Sequence, residues 1–323
     1  VAGVLYLILA VIIKMVGVKR AMHFLPPVVT GPIIICIGLS LAPSAVSNVQ
    51  TNWLLAIVAF AIIVIFNIWG KGMFKIIPIL LGIAGSYAVA LILHACGITN
   101  PDGSAIFDFA AVASASWVDI PPFQLCKFNL TAILAMAPIA VASMMEHIGD
   151  ISAISATVGE NFVEDPGLHR TLIGDGLATS ISALFGGPAN TTYGENTGVL
   201  ELSRVHDPKV IRLAACYAIV LSFIPKFAQI ISTMPIAIVG GVSFILYGMI
   251  AAIGVRNVVE NKVDFTDSRN LIIAATILVC GLGFSDGLTF NVAGTSITLT
   301  GLAIAAIMGV ALNAILPEKK AEA

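Results

Sequence analysis

Three ionisable side chains lie together in an otherwise apolar segment. Glu146, His147 and Asp150 fall within "MMEHIGD", residues 144–150. On a helix, Glu146 and Asp150 share one face, whereas His147 lies about 100° around the axis from Glu146. A carboxylate inside a membrane is costly and persists only against protein or a water-filled cavity. The pattern predicts that Glu146 faces such a cavity and that His147 packs or hydrogen-bonds beside it. Asp150 fits either that cavity or a helix end solvated by the cytoplasm.

A second polar segment, "NTTYGEN", covers residues 190–196. Its first four residues have the β-branched and aromatic character of an extended stretch, and they follow a Gly-Gly-Pro sequence. Gly194 would let a ligand approach the backbone closely, and Glu195 would begin a new helix with its N–H groups directed into a cavity. Irregular backbone is tolerated at membrane depth only where it is buried in protein or lines a cavity.

Two glutamates facing one neutral cavity have a definite chemistry. An ionised carboxylate only accepts hydrogen bonds, whereas a protonated one can also donate. Glu146 and Glu195 would therefore suit a flat, uncharged ligand with alternating N–H and C=O groups, and they would suit proton coupling. The sequence predicts no metal site and no cofactor, with a proton as the coupling ion.

The elements that would position these residues are membrane helices. The chain is 58% hydrophobic and 11% charged, with a mean hydropathy of +1.01, whereas soluble domains carry about 25% charged residues. Its formal net charge of −2 provides no basic field for nucleic acid. Five scattered cysteines show no metal-binding spacing, and a disulfide between Cys96 and Cys126 is left open. The composition predicts a polytopic membrane protein in contact with lipid.

Apolar runs predict ten spans, since about 20 such residues cross a bilayer. They cover residues 1–18, 27–45, 52–69, 76–95, 129–157, 168–186, 210–231, 236–255, 270–285 and 299–316. An eleventh, broken span at 187–203 would put nearly all Lys and Arg residues on one side, as the positive-inside rule requires. The long loop near 96–127 would then lie outside, and the C-terminus would lie in the cytoplasm.

An internal repeat also points to transport. "LPPVVTGPIIICIGLSLA" at 25–42 resembles "MPIAIVGGVSFILYGMIA" at 234–251, an offset of 209 residues. The two copies would enter the membrane from opposite sides, and inverted repeats are typical of secondary transporters. If the unit near residue 129 has an equally spaced partner, about 80 residues with three spans precede residue 1.

The motifs "MMEHIGD", "EDPGLHRTLIGDGLATSISALFGG" and "PANTTYGENTGVLELSRV" resemble those of the uracil/xanthine permeases of the nucleobase–ascorbate transporter family. The resemblance implies an all-α polytopic fold of fourteen spans in two inverted repeats of seven, with short strands in broken helices and about eleven spans in this chain. It also implies a core domain at 1–18 and 129–231, a gate domain at 19–128 and 232–316, and a cytoplasmic tail at 317–323.

The same resemblance assigns roles to individual residues. Glu146 and Glu195 match the two glutamates that bind the base, with Gly194 as a backbone contact and Tyr193 lining the pocket. Asp150 stands where one well-known member of the family has a histidine tied to proton coupling. Aspartate at that position also appears in many uracil-type sequences, so either Asp150 or Glu146 could carry the proton. The residues expected to support the site are His147, Asn190, Thr191, Thr192 and Asn196.

The function expected from this resemblance is proton-coupled uptake of uracil across the bacterial cytoplasmic membrane by alternating access. A xanthine or urate symporter of the same family is the main alternative, because aspartate at the position of Asp150 is common in purine-type members. An anion exchanger of the same fold and an intramembrane metalloenzyme fit less well, since the cavity offers two glutamates and lacks paired histidine ligands. The resemblance also implies a homodimer formed through gate helices.

Overall fold

A computed structural model describes residues 1–18, 20, 26–190, 192–193, 196–197, 200, 204–292 and 295–317 of the chain. Helices make up most of the described residues. In chain order they are α1 (Ala2–Val16), α2 (Pro27–Gln50), α3 (Trp53–Trp69), α4 (Met73–Ile76), α5 (Pro78–Ala95), α6 (Ala110–Ser114), α7 (Leu130–Val158), α8 (Leu168–Leu184), α9 (Pro208–Ser222), α10 (Pro225–Ser232), α11 (Ile236–Glu260), α12 (Ser268–Gly283) and α13 (Gly301–Ile315).

Side-chain caps and prolines mark where the apolar runs become helical. Asn129 accepts a hydrogen bond from Ala132 N at 3.1 Å, and Asp267 accepts one from Arg269 N at 3.0 Å. Each cap satisfies one of the first N–H groups of a helix, which have no partner within the helix itself. Helices α5, α9 and α10 carry a proline in their first turn, where the missing N–H costs nothing.

Four helical stretches are long and apolar enough to cross a membrane within the described part of the chain. They are Pro27–Gln50, Pro78–Ala95, Ala132–Ser155 and Ile236–Glu260. Four further apolar helices are shorter. The predicted span at 210–231 is interrupted, since α9 and α10 meet at an angle of 93°. Pro225 explains the break, because proline disfavours helical geometry at the residue before it and lacks the N–H that would continue the helix.

The chain forms two compact units. Unit 1 contains Val1–Ser40, Phe123–Thr197 and Met249–Ala323, and unit 2 contains Leu41–Pro122 and Gly198–Gly248. These boundaries differ from those of the predicted core and gate domains. The core and gate assignment concerns which part carries the substrate, so it stays a prediction.

Each unit has its own hydrophobic core. In unit 1, buried residues of α1, α2, α7, α8, α12 and α13 pack together, among them Ile13, Ile33, Ile148, Leu172 and Ile277. In unit 2, Leu55, Ile63 and Ile238 pack with residues of α5 and with Phe107 of the long loop. Many large apolar side chains lie on the outer faces of the helices, as expected for a protein surrounded by lipid hydrocarbon.

A β-hairpin between α12 and α13 was not predicted at this position. Strand β1 (Leu288–Val292) pairs antiparallel with β2 (Thr295–Leu299), so that Leu288 lies opposite Leu299 and Val292 opposite Thr295. The Thr289 and Thr298 hydroxyls are 2.9 Å apart. The short strands were expected instead at the broken span, where residues 187–190, 192 and 193 have no regular secondary structure.

The five cysteines are free. Cys96 is exposed and Cys126 is partly buried, so the disulfide left open from the sequence is not formed.

Asn52 tests how strongly the long loop of unit 2 is tied to α3. It is 8% exposed, accepts a hydrogen bond from Leu55 N at 3.3 Å and donates one to Asn100 Oδ1 at 3.0 Å. We expect Asn52→Ala to destabilise the protein by about 2–3 kcal/mol, since both a helix cap and a part-buried hydrogen bond to Asn100 are lost. Thermal unfolding in detergent measures this, with Asn129→Ala as the control. Asn129 caps α7 at an exposed position, so about 1 kcal/mol is expected there. Equal losses in the two variants would show that the Asn100 contact contributes nothing.

Candidate functional site

Close packing of α1 on α8 positions the first polar groups of the site. An added Cβ at Gly176 would lie 2.8 Å from Gly3 O and 2.8 Å from the Cβ of Tyr6. Only glycine allows the two helix backbones to approach this closely, as in small-residue contacts between membrane helices. The contact places the Tyr6 ring of α1 beside the polar face of α8.

Helix α7 supplies the acidic residues that the sequence singled out. Glu146 lies near the middle of this 29-residue helix and is partly buried. Asp150, one turn further on, is 2% exposed. The sequence left open whether Asp150 is a solvated charge at the end of a helix. The burial of Asp150 excludes that possibility.

His147 lies at the centre of a buried hydrogen-bonded cluster and is 4% exposed. Its Nδ1 is 2.8 Å from Thr192 Oγ1, and its Nε2 is 3.0 Å from Thr171 Oγ1. The Tyr6 and His147 rings meet edge to face, with centroids 5.9 Å apart. The imidazole therefore connects α1, α7 and α8 to the broken segment that contains Thr192.

Asp175 joins this cluster, which the sequence analysis did not foresee. Its Oδ2 lies 3.3 Å from His147 Nδ1, and its side chain is 14% exposed. The Tyr6 hydroxyl is also buried. Thr171, Asp175 and Thr179 are spaced four residues apart on α8, so they form a polar stripe on one face. That spacing was the sequence signal for Asp175.

The far end of this stripe fixes the start of the broken segment. Asn190 N donates a hydrogen bond to Thr179 Oγ1 at 3.2 Å, and the Thr179 hydroxyl donates to Asn190 O at 3.4 Å. Because Thr192 meets His147, the segment is attached to α8 at Asn190 and to α7 at Thr192. Irregular backbone in a membrane needs such partners for its own polar groups.

The other predicted site residues are placed only in part. Tyr193 is 65% exposed, and Asn196 is also exposed. Thr191, Gly194 and Glu195 lie outside the described residues, so their predicted roles stay predictions. Asn196 and Thr197 are helical, in line with the prediction that a helix begins at Glu195. The Thr197 hydroxyl is buried and has no hydrogen-bond partner within the described part of the chain.

Thr179 offers a direct test of the attachment of the broken segment. We expect Thr179→Val to lower the free energy of unfolding by about 1–2 kcal/mol, since the buried Thr179 hydroxyl and its two part-buried hydrogen bonds to Asn190 are lost. Thr179→Ser keeps the hydroxyl and should retain most of the stability. Thermal unfolding in detergent compares the two variants. A valine variant as stable as wild type would show that water or another group serves Asn190 equally well.

The arrangement combines partly and fully buried carboxyl groups with a fixed histidine and several hydroxyls inside a bundle of apolar helices. Such groups can bind a small polar molecule and move a proton. The fold and the site together define a multi-pass membrane transport protein.

The chain belongs to the xanthine/uracil permease family. The family profile, described as "Permease family", matches residues 1–290. The chain is thus a permease and not an enzyme, and it is a multi-pass protein of the bacterial cytoplasmic membrane. The prediction of a helical polytopic fold is confirmed at this level.

Several curated relatives resemble nearly the whole chain. A "Uracil permease" of Bacillus subtilis (strain 168) is 41% identical, across 99% of this chain and 75% of the relative. A "Uracil permease" of Bacillus caldolyticus is 40% identical, across 98% and 73%. A "Probable uracil permease" of Haemophilus influenzae is 38% identical, across 99% and 76%.

Proposed function

We propose that this protein takes up uracil across the cytoplasmic membrane, coupled to protons, by alternating access. The observation that carries the proposal is the partly buried Glu146 in the middle of α7, directly beside the buried His147 cluster. The similarity to permeases named for uracil over nearly the whole chain supports the choice of substrate.

The chemistry of uracil fits this set of groups. The base is flat and uncharged, and it presents N–H donors and C=O acceptors along its edges. Glu146 and Glu195 would accept its N–H groups, and the Gly194 backbone would meet a carbonyl. These contacts are charge-assisted hydrogen bonds, which are about twice as strong as neutral ones. Asp150 or Glu146 would carry the coupled proton.

The proposed architecture is an inverted repeat of seven plus seven spans. Helices α2 and α11 begin at Pro27 and Ile236, 209 residues apart. A side chain at Gly31 would collide with Val258, and one at Gly240 would collide with Val49. Gly31 and Gly240 are also 209 residues apart, as are Val49 and Val258. The recurrence of the same contact at the same offset supports the repeat.

The proposed mechanism also specifies which parts of the protein move during transport. A core domain containing α1, α7 and α8 would carry uracil past a gate domain, with the C-terminus in the cytoplasm. The protein would form a homodimer through its gate helices. Crosslinking in native membranes would test the dimer, because a monomer at every crosslinker concentration would contradict it.

Uptake of radiolabelled uracil tests the function directly. Cells that lack their own uracil permease would express this protein or its Glu195→Gln variant, with unlabelled uracil or xanthine as competitor. We expect uptake that unlabelled uracil blocks, that xanthine leaves unchanged and that the variant loses. Collapsing the proton gradient should abolish accumulation.

The possible outcomes separate the alternatives. Uptake of xanthine but not of uracil would leave the family assignment intact and would identify a purine as the substrate. Inhibition by bicarbonate or sulfate would favour an anion exchanger. Undiminished accumulation without a proton gradient would contradict proton coupling and leave the substrate assignment intact.

A further inference from the structure

Helices α2 and α11 are locked together where they cross in unit 1. An added Cβ at Gly254 would lie 2.7 Å from Gly31 O, and one at Gly31 would collide with the Val258 side chain. Asn257 Nδ2 of α11 also donates a hydrogen bond to Thr30 Oγ1 of α2 at 3.1 Å. Backbone atoms this close leave no room for one helix to slide over the other, so this α2–α11 crossing is a rigid contact.

Helix α7 contacts the crossing at Gly149, a residue without a side chain. An added Cβ at this position would lie 2.8 Å from Ile34 Cδ1 of α2 and 3.5 Å from Asn257 Nδ2 of α11. Ile34 is buried, and buried residues of α2 and α7, such as Ile33 and Ile148, share one hydrophobic cluster. At Gly149, therefore, no side chain of α7 is wedged between α2 and α11, and α7 can leave the crossing without withdrawing one.

The polar groups of the crossing have partners that do not belong to α7. Asn257 Oδ1 accepts a hydrogen bond from Asn261 Nδ2 at 2.8 Å, and the Asn257 amide donates to Thr30. Moving α7 away would keep both of these hydrogen bonds and would expose the Asn257 amide to water, which solvates amides well. Separating α2 from α11 would instead break the hydrogen bond to the buried Thr30, and an unpaired buried polar group is costly.

Helix α7 also carries the residue proposed to bind the base. Glu146 precedes Gly149 by three positions within this continuous helix, which is about 4.5 Å along the axis. A shift of α7 away from the crossing would displace Glu146 with it. Opening the contact and displacing the binding residue would therefore be one motion.

The crossing lies toward the cytoplasm in the proposed orientation. Residues 27–40 of α2 and 249–260 of α11 belong to unit 1, which also contains α7. With the C-terminus in the cytoplasm, α11 would run inward, so 249–260 would be its cytoplasmic half. The inverted repeat would give α2 the opposite direction, so 27–40 would be its cytoplasmic half as well. The contact with α7 would then close the route to the cytoplasm.

We propose that Gly149 and the α2–α11 crossing form the inner gate, and that α7 opens this gate by moving away from a crossing that stays fixed. The inference rests on the proposed function and deepens it, because it specifies which contact opens and which one does not. In the open state, Ile34 and the Asn257 amide would face the cytoplasm, and the base would leave along them.

Two pairs of cysteines that share one position test the gate. Gly149→Cys with Asn257→Cys would join α7 to α11, whereas Thr30→Cys with Asn257→Cys would join α2 to α11. Asn257 Nδ2 lies 3.5 Å from an added Cβ at Gly149 and 3.1 Å from Thr30 Oγ1, so both pairs are within reach of a short bis-methanethiosulfonate reagent. A thiol reductant would separate each pair again.

Uracil uptake would be measured on the same proteoliposomes before crosslinking, after crosslinking and after reduction. We expect the uptake rate of the Gly149 pair to fall about tenfold or more on crosslinking, since every transport cycle requires the gate to open. The Thr30 pair should keep its rate, because it joins two helices that stay together. The three single variants control for reaction with the five native cysteines. Uptake that survives in the Gly149 pair, or that is lost equally in both pairs, would overturn the proposal.

Cysteine labelling tests the gate without substrate and with Asn257 unchanged. Ile34→Cys would be treated with a membrane-impermeant maleimide on the cytoplasmic side of inside-out vesicles, and labelling at each cysteine would be measured by mass spectrometry. Cys36 is the internal control, since it is buried on the same helix with its Sγ 3.6 Å from Ile277 O of α12. We expect Ile34→Cys to react about tenfold faster than Cys36, because only the former becomes accessible when α7 moves.

The two measurements separate this inference from the proposed function. If the wild-type protein takes up no uracil, the proposed substrate is refuted, and the labelling rates still decide whether the gate opens. If uptake proceeds but Ile34→Cys reacts no faster than Cys36, the substrate assignment stands and the proposed inner gate is wrong.

Discussion

Replacing Glu146 by Gln is expected to lower uracil uptake at limiting uracil concentration by about 10- to 150-fold. Hydrogen bonds to a charged group contribute about 1.5–3 kcal/mol, which corresponds to that range of affinity. Gln keeps the length of the side chain and one acceptor oxygen, but it loses the charge that strengthens hydrogen bonds from uracil N–H groups. Its amide also presents donors where the base has donors of its own.

The measurement compares initial uptake rates and equilibrium uracil binding by the purified variants. Glu160→Gln is the matched control, because Glu160 is exposed just beyond the end of α7. It should bind and transport like wild type. If Glu146→Gln binds uracil as tightly as Glu160→Gln, the base is held elsewhere and the proposed role of Glu146 is wrong.

Much of the helical scaffold could be predicted from apolar runs and their boundaries. The runs predicted at 129–157 and 236–255 correspond to α7 and α11, with starts that differ from the predictions by at most one residue. Such runs are decisive because a membrane helix must satisfy its own backbone and remain apolar toward lipid. The bend between α9 and α10 was missed because hydropathy does not register one proline in a continuous apolar run.

The hairpin at 288–299 was missed for a different reason. Its β-branched and aromatic residues are as hydrophobic as those of a helix, and the segment lies between two predicted spans. Residue alternation over two five-residue strands is a much weaker signal than a run of twenty apolar residues. The pairing of one strand with the other stabilises the extended state, and a hydropathy window does not detect that pairing.

The candidate site was predictable where its residues are unusual for a membrane, as Glu146 and Asp150 are. Asp175 was not among the predicted site residues, although it lies inside α8 and contacts His147. Its partner is 28 positions away in the sequence, so spacing alone could not identify it. The polar stripe indicates that one face of α8 is turned away from lipid, but it does not indicate which other helix that face contacts.

A large effect on stability is also expected at Gly254, where α11 crosses α2. An added Cβ would lie 2.6 Å from Ile35 N and 2.7 Å from Gly31 O. These are backbone atoms, which cannot rotate away as a side chain can, so the two helices would have to separate. Inserting a methyl group into such a contact costs about 1–3 kcal/mol. We expect Gly254→Ala to lower the unfolding midpoint by on the order of 5 °C.

Gly248→Ala is a matched control on the same helix, since an added Cβ there has no atom within 4 Å. It should leave stability unchanged or raise it by about 0.5–1 kcal/mol, because alanine restricts the unfolded chain more than glycine does. Equal midpoints for the two variants would mean that the crossing is looser than its geometry indicates.

Gly240→Ala extends the test to the proposed repeat. A Cβ at Gly240 would lie 2.6 Å from Val49 N, a backbone contact in unit 2 that corresponds to the contact of Gly31 with Val258 in unit 1. If the two halves are related by an inverted repeat, a close crossing is needed in each of them. Gly240→Ala should then lower the midpoint about as much as Gly31→Ala, the equivalent substitution at the 209-residue offset, by on the order of 5 °C. A loss at only one of these two glycines would argue against equivalent packing in the two halves.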